Sequence, residues 1–239
     1  MQAVNGCSLR IAAGSITGLI GPNGAGKSTV FTLISGFLRP DVGEILFDGH
    51  RIDGLPAHRV ARLGLVRTFQ TPRELRELSV LENLMMVPRP QFGESLVGVM
   101  LLGSRRVRRE EQEIEKRALE VLRTVGLDHQ ARRRAADLSG GQKKLLEIAR
   151  CMMCQPRLAL LDEPTAGVNP SLINDLVEMI RLLHAGGVTI VIIEHNMNVV
   201  MRLCEHVIVL DRGEVMCEGT PEQIQRDERV LAAYLGSVP

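Results

Sequence analysis

The chain has 239 residues, 29 of them basic and 28 acidic, for a formal net charge of +1, and 45% are apolar. That length suits one large domain or a domain with an insertion, and that apolar content excludes a disordered or collagen-like chain. Balanced charge argues against a domain that grips nucleic acid by neutralising phosphates, and 3% aromatics without any Trp argue against a stacking platform for single strands.

Along the chain, the opening residues lack a basic stretch followed by a long apolar one, so no signal peptide is expected. Ile16–Ile20 reads as a buried strand, followed by a Gly-rich turn and a helix over 28–37. Residues 44–52 read as a hairpin turning at Asp48 and Gly49. Further strands are expected at 64–68, Leu158–Asp162, 188–193 and 207–210. Most of these are nearly all apolar, as in strands covered on both faces of a parallel sheet. A helix begins at Asn169-Pro170 and ends at Gly186, with Leu172, Ile173, Leu176, Val177, Ile180 and Leu183 on one face. Strand–helix alternation of this kind means an α/β fold with right-handed crossovers.

Between 71 and 137 the strand signal stops and a charged helical stretch spans 105–125. This middle segment reads as an inserted helical subdomain. Its basic residues, such as Arg105, Arg109 and Lys116, interleave with Glu110, Glu113 and Glu120 at helical spacing, the pattern of a solvated face. The longest apolar run, 96–103, has eight residues, far short of the roughly 20 that cross a bilayer. Two readings of 96–102 stand open, buried core or docking surface for a membrane-spanning partner. The five cysteines (Cys7, Cys151, Cys154, Cys204, Cys217) are scattered. Cys151 and Cys154 form a C-x-x-C without a second pair or nearby His, so both read as small buried apolar residues in a reducing compartment.

The segment Gly21, Pro22, Asn23, Gly24, Ala25, Gly26, Lys27, Ser28 matches G-x-x-x-x-G-K-[ST] between a strand and a helix. Glycines let the backbone wrap a phosphate and aim its N–H groups inward, and the helix start adds partial positive charge. Lys27 is expected to reach the β- and γ-phosphates and Ser28 to ligate Mg²⁺, with Thr29 completing the loop. Leu158–Asp162 delivers Asp162 to the sheet edge as a holder of Mg²⁺ or its water. Glu163, one step on, is placed to act as general base on an attacking water. Ser139, Gly140, Gly141 and Gln142 open a further helix with the apolar residues Leu145, Leu146, Ile148, Ala149, Met152 and Met153. That is a second Gly-rich helix start, without a lysine among its four residues, and its Gln142 lies sixteen residues before Leu158.

Together these motifs resemble the ATP-binding subunits of ABC transporters, over essentially the whole chain. The resemblance implies a P-loop (RecA-like) α/β ATPase core at 1–70 and 156–239, with an antiparallel β element. An inserted helical subdomain at 71–155 would carry the signature. By similarity, Gln70 touches Mg²⁺ and water and senses a membrane partner. His195 contacts the γ-phosphate. Ser139 through Gln142 meet ATP held by a second subunit, so that two nucleotides are sandwiched head to tail. Thr165–Pro170, Glu194–Met197, the segments 213–215 and 218–221, and the insertion 88–109 are similar to the branched-chain amino acid type, although relatives serving urea or lipopolysaccharide share most of them.

The resemblance further implies transmembrane permease subunits as partners, a binding protein met only indirectly, and a peripheral place on the cytoplasmic face of the inner membrane. The second ATPase is another copy or a related chain, and the type resembled usually pairs two different ones. A soluble mechanical ATPase would carry coiled coils, zinc modules or fused halves, and a phosphotransferase would not need Ser139–Gln142. One departure concerns the base. The family stacks adenine on an aromatic side chain further upstream than the residues before Gly21, and no aromatic precedes Phe31. The expected first strand is missing with it, so either the chain starts further upstream or ATP is held without that stack. Base stacking contributes roughly 1–3 kcal/mol, so the chain as written is expected to bind ATP on the order of tenfold more weakly.

Overall fold

In the computed structural model, residues 3–70, 74–88 and 96–235 are described, without the side chains of 96–106 and 235. They divide into two compact units: Met1–Gln70, Pro156–Ala166 and Arg181–Pro239 in the first, Thr71–Gln155 and Gly167–Ile180 in the second. Gly167–Ile180, which the sequence reading placed with the core, thus falls in the second.

The first unit is built on a six-stranded sheet in the order β4-β5-β6-β1-β7-β8. Its members are β1 (Ile16–Ile20), β4 (Leu65–Arg67), β5 (Leu158–Asp162), β6 (Thr189–Ile193), β7 (His206–Asp211) and β8 (Glu214–Gly219). Five strands pair in parallel and β8 joins β7 antiparallel. The reason is legible residue by residue. Every side chain of β1 and β5 is buried, so neither strand could face water. Leu160 and Ile190 have no exposed surface, and truncating such a side chain to Ala costs about 2–5 kcal/mol.

A two-stranded hairpin, β2 (Leu46–Phe47) and β3 (His50–Arg51), stands apart from this sheet. Its turn residues Asp48 and Gly49 both have positive φ, 49° and 75°, the twist that two-residue hairpin loops require. The helix expected at 28–37 is shorter, α1 (Lys27–Ile34). It closes at Ser35, whose hydroxyl turns back to donate to the Phe31 carbonyl at 2.6 Å. The helix α2 (Ala57–Arg62) leads into β4. No strand forms among the described residues before Ile16.

The second unit contains α3 (Val80–Met85), α4 (Leu96–Thr124) and α5 (Gly140–Cys154). The helix expected at 105–125 is the C-terminal part of α4. The apolar run 96–102 lies at its start, where side chains are outside the described residues. Val80, Leu84, Ala118, Leu122, Leu146 and Ile148 form its buried core. Arg117 donates to the carbonyls of Met152 and Met153 at 3.3 and 3.2 Å, satisfying α5 where its own hydrogen bonds run out. Arg109 and Glu113 form the expected i,i+4 pair on the exposed face. Helix α6 (Pro170–Ala185) crosses from the second unit to the first. The C-x-x-C expectation is half corrected: Cys151 is buried and Cys154 is exposed, because Cys154 sits on the last turn of α5. The chain continues through α7 (Met197–Leu203), α8 (Pro221–Arg226) and α9 (Glu228–Leu235). None of its described helices is long and apolar enough to cross a membrane.

Candidate active site

The phosphate-type loop leaves β1 at Gly21 with φ 147°. A Cβ there would run into the Leu210 carbonyl oxygen, so β7 itself forbids any other residue. The loop is braced from behind. The Gly213 N–H donates to the Ala25 carbonyl at 3.0 Å, and the Gly21 N–H donates to the Tyr234 hydroxyl of α9 at 3.0 Å. Gly26 caps α1 in a left-handed conformation, φ 99°, and no side chain among the described residues closes that helix start. Its first N–H groups are therefore left to a ligand, and the dipole there favours an anion.

Lys27 is buried, and its ammonium donates to the carbonyls of Gly21 and Pro22 at 2.7 and 2.9 Å. The side chain thus lies folded across the loop it belongs to. Burial pulls the ammonium below its ordinary pKa, while the Glu163 and Asp162 carboxylates work in the opposite direction. Ser28, Asn23 and Gly24 are exposed, and Pro22 and Thr29 are half-buried.

The two carboxylates are held differently. Asp162 ends β5, paired in register with Ile193. Its Oδ2 accepts from the Arg67 guanidinium at 2.9 Å, and both side chains are largely buried. Its N–H donates to the Thr68 hydroxyl at 3.1 Å. Glu163 follows with φ 49°, a left-handed geometry that costs a non-glycine residue on the order of 1–3 kcal/mol. Its N–H is tied to the Ile193 carbonyl at 2.9 Å. Gln70 Nε2 donates to Oε2 at 2.9 Å, and His195 Nε2 meets Oε1 at 3.1 Å. An ionised carboxylate has no proton, so His195 must carry its hydrogen on Nε2 in this contact.

His195 is itself positioned from beneath. The buried Glu194 carboxylate accepts from the Thr165 N–H and hydroxyl at 2.9 and 2.7 Å, and from the N–H groups of His195 and Asn196 at 3.2 and 3.4 Å. The first unit therefore brings together Lys27, Gln70, Asp162, Glu163 and His195, five residues separated by as many as 168 positions in the chain. Arg67, Thr68, Glu194 and Tyr234 belong to the same framework and were missed in the sequence. Glu194 left a signal, a carboxylate at the end of an apolar strand. Arg67 and Tyr234 left none, since only tertiary contacts give them partners.

Ser139, Gly140, Gly141 and Gln142 belong to the second unit. Ser139 caps α5 with a reciprocal box: its hydroxyl accepts from the Gln142 N–H at 3.3 Å, and its N–H donates to the Gln142 side chain at 3.0 Å. Ser139 and Gly140 are exposed while Gly141 is buried. A Cβ on Gly141 would run into the Leu172 side chain.

The sequence pattern of the family described as ABC transporter matches residues 4–166. This chain belongs to that family. It is an ABC transport ATPase. A second pattern, described as Branched-chain amino acid ATP-binding cassette transporter, matches residues 214–238. Among curated ABC proteins, the chain is 43% identical over 237 residues to the high-affinity branched-chain amino acid transport ATP-binding protein BraF of Pseudomonas aeruginosa, covering 99% of this chain and 92% of that one. It is 43% identical to LivG of Escherichia coli K12, a protein of the same description, over the same shares. In structure it is similar to a nucleotide-free ATP-binding cassette of an ABC transporter, with TM-score 0.82 and 36% identity over 97% of this chain and 92% of that one. It is also similar to a dimeric post-hydrolysis cassette bound to ADP and Pi, with TM-score 0.75 and 27% identity over 92% and 90%.

Proposed function

We propose that this chain is the energy-coupling ATPase of a branched-chain amino acid importer, peripheral on the cytoplasmic face of the inner membrane. It would work with transmembrane permease subunits and a second ATP-binding subunit, and would meet the binding protein only through them. The cargo reading rests on BraF and LivG and on the match at 214–238. We likewise infer the nucleotide-binding core at 1–70 and 156–239 and the inserted subdomain at 71–155.

The observation that carries the chemistry is the Glu163 carboxylate, gripped from both sides by Gln70 and His195. Gly21 through Thr29 cradle the triphosphate. To reach its β- and γ-oxygens, Lys27 exchanges the carbonyls of Gly21 and Pro22 for phosphate, a trade favoured by charge. Glu163 takes the proton of the attacking water, and His195 steadies the γ-phosphate while Gln70 orients the water. Ser139 through Gln142 complete the cage of ATP bound by the other subunit.

Ser28, Asp162 and Gln70 would hold Mg²⁺. They offer a hydroxyl, a carboxylate and an amide carbonyl, an all-oxygen donor set that leaves room for phosphates and water and fits this ion. When bound, Mg²⁺ would neutralise charge on the phosphate oxygens.

The test is reconstitution with the neighbouring permease genes in liposomes, reading uptake of leucine against urea. Leucine uptake that requires ATP supports the cargo, and uptake of urea alone overturns it. In the same system Glu163→Gln should keep ATP binding and lose about 10²–10⁴ in turnover, the usual contribution of a positioned base. Unchanged turnover would remove Glu163 from its role.

A further inference from the structure

Arg67 ends β4, three residues before Gln70, and its side chain is about 10% exposed. Its two terminal nitrogens do separate work. Nη2 donates to Asp162 Oδ2 at 2.9 Å, while Nη1 donates to the Thr32 hydroxyl at 3.0 Å. The guanidinium lies against two rings, Phe31 at 5.7 Å and Phe69 at 5.3 Å. Phe31 and Thr32 sit on α1, the helix that opens with Lys27 and Ser28, and Phe69 precedes Gln70. One planar fork therefore ties the phosphate-loop helix, the end of β5 and the glutamine segment together.

Stability does not explain this arrangement. A buried ion pair gains little over apolar packing of the same volume, and here the Arg67 Nε is buried without a hydrogen-bond partner. A fork placed for stability alone would satisfy that donor, since an unmet buried donor is costly. The geometry instead spends it to aim one nitrogen at Asp162 while the other is anchored on α1. Lysine could supply the charge but not both contacts in one plane.

We propose that Arg67 is a positioning residue for Asp162. Its fork, anchored through Thr32, holds the carboxylate in the orientation that receives the divalent cation and so sets the metal requirement of the site. This rests on the reading of Asp162 as a holder of Mg²⁺ or its water. Residues that orient a metal ligand from behind typically change metal affinity about 10–100-fold when substituted.

The experiment titrates Mg²⁺ against binding of a fluorescent ATP analogue, with a parallel series in EDTA and a thermal melt for each variant. Arg67→Lys should raise half-saturating Mg²⁺ by about tenfold while metal-free nucleotide affinity stays unchanged. Thr32→Val, which loses the anchor together with the hydroxyl's bond to the Ser28 carbonyl at 2.6 Å, should shift the requirement in the same direction by less. An unchanged Mg²⁺ requirement in folded Arg67→Lys overturns the proposal, as does an equal loss of affinity in EDTA. Should Arg67→Lys not fold, Arg67→Gln, which leaves the bond from Thr32 to Ser28 in place, decides by the same two readings. Asp162→Asn is the benchmark. If it leaves the Mg²⁺ requirement untouched, the metal reading of Asp162 fails; if it raises the requirement and Arg67→Lys does not, only the Arg67 assignment fails.

Discussion

The chain has two glycine-rich helix starts, and they are built on opposite plans. The one at Gly21–Ser28 is locked to the sheet. Leu210 forbids a side chain at Gly21, and Gly213 and Tyr234 brace the loop from behind. Yet the helix it opens has no side-chain cap among the described residues. The one at Ser139–Gln142 closes its own donors with a reciprocal box and keeps Ser139 and Gly140 at the surface. A rigid scaffold with open donors is pre-organised for a ligand, because little entropy remains to be lost on binding. A self-capped tip could bind a ligand through these donors only by giving up its cap.

The largest effect should come from the open start. Lys27→Ala should abolish ATP binding and hydrolysis, read by equilibrium binding and phosphate release. A normal affinity in that variant would erase the contrast, since the loop would then be binding nothing through its lysine. Placing the same small change in both starts tests the scaffold directly. Gly21→Ala meets backbone at Leu210 and should destabilise the fold by about 3 kcal/mol or more, whereas Gly141→Ala meets only the movable Leu172 side chain and should cost nearer 1 kcal/mol. Denaturant melts of both variants measure the difference, and equal losses would mean that the first loop is no stiffer than the second.

Ser139→Ala removes the capping box and should lower stability by about 1 kcal/mol, again by denaturant melt. A neutral result would mean that Gln142 alone closes the helix. The smallest effect concerns the rear brace, because Asp227 starts α9 by accepting from the Arg229 N–H and side chain. The Arg229 guanidinium holds the Asp227 carboxyl down at about 2. A depressed carboxylate contributes stability above its ordinary range and loses it as pH falls toward about 2, so the native chain should weaken in that window. Asp227→Asn should flatten this acid dependence slightly, seen in thermal melts across pH 2–5. An identical acid profile would show that the pair does not hold α9.

Much of this was legible before any coordinates. Five sheet strands were legible as short strand-like runs, three of them nearly all apolar, and Lys27, Asp162, Glu163 and Ser139 lie in local motifs whose residues are neighbours in sequence. The helix expected at 28–37 outruns α1 because Phe37 extends its apolar pattern, while the Ser35 hydroxyl bonds back to the Phe31 carbonyl at its end. Cys154 was misplaced because spacing of three reports a shared face but not how far that face stays covered.

The order of residues alone determined that a phosphate loop, an acidic strand end and a second glycine-rich helix start occur in one α/β chain, because each is a local pattern of spacing and residue type. Only the tertiary structure decided that Gln70 and His195 close on one carboxylate, that Arg67 backs the other and that Tyr234 reaches Gly21. Those contacts join segments 32 to 213 positions apart. A side chain's partner at such separation is set by sheet order and burial, which no local spacing encodes.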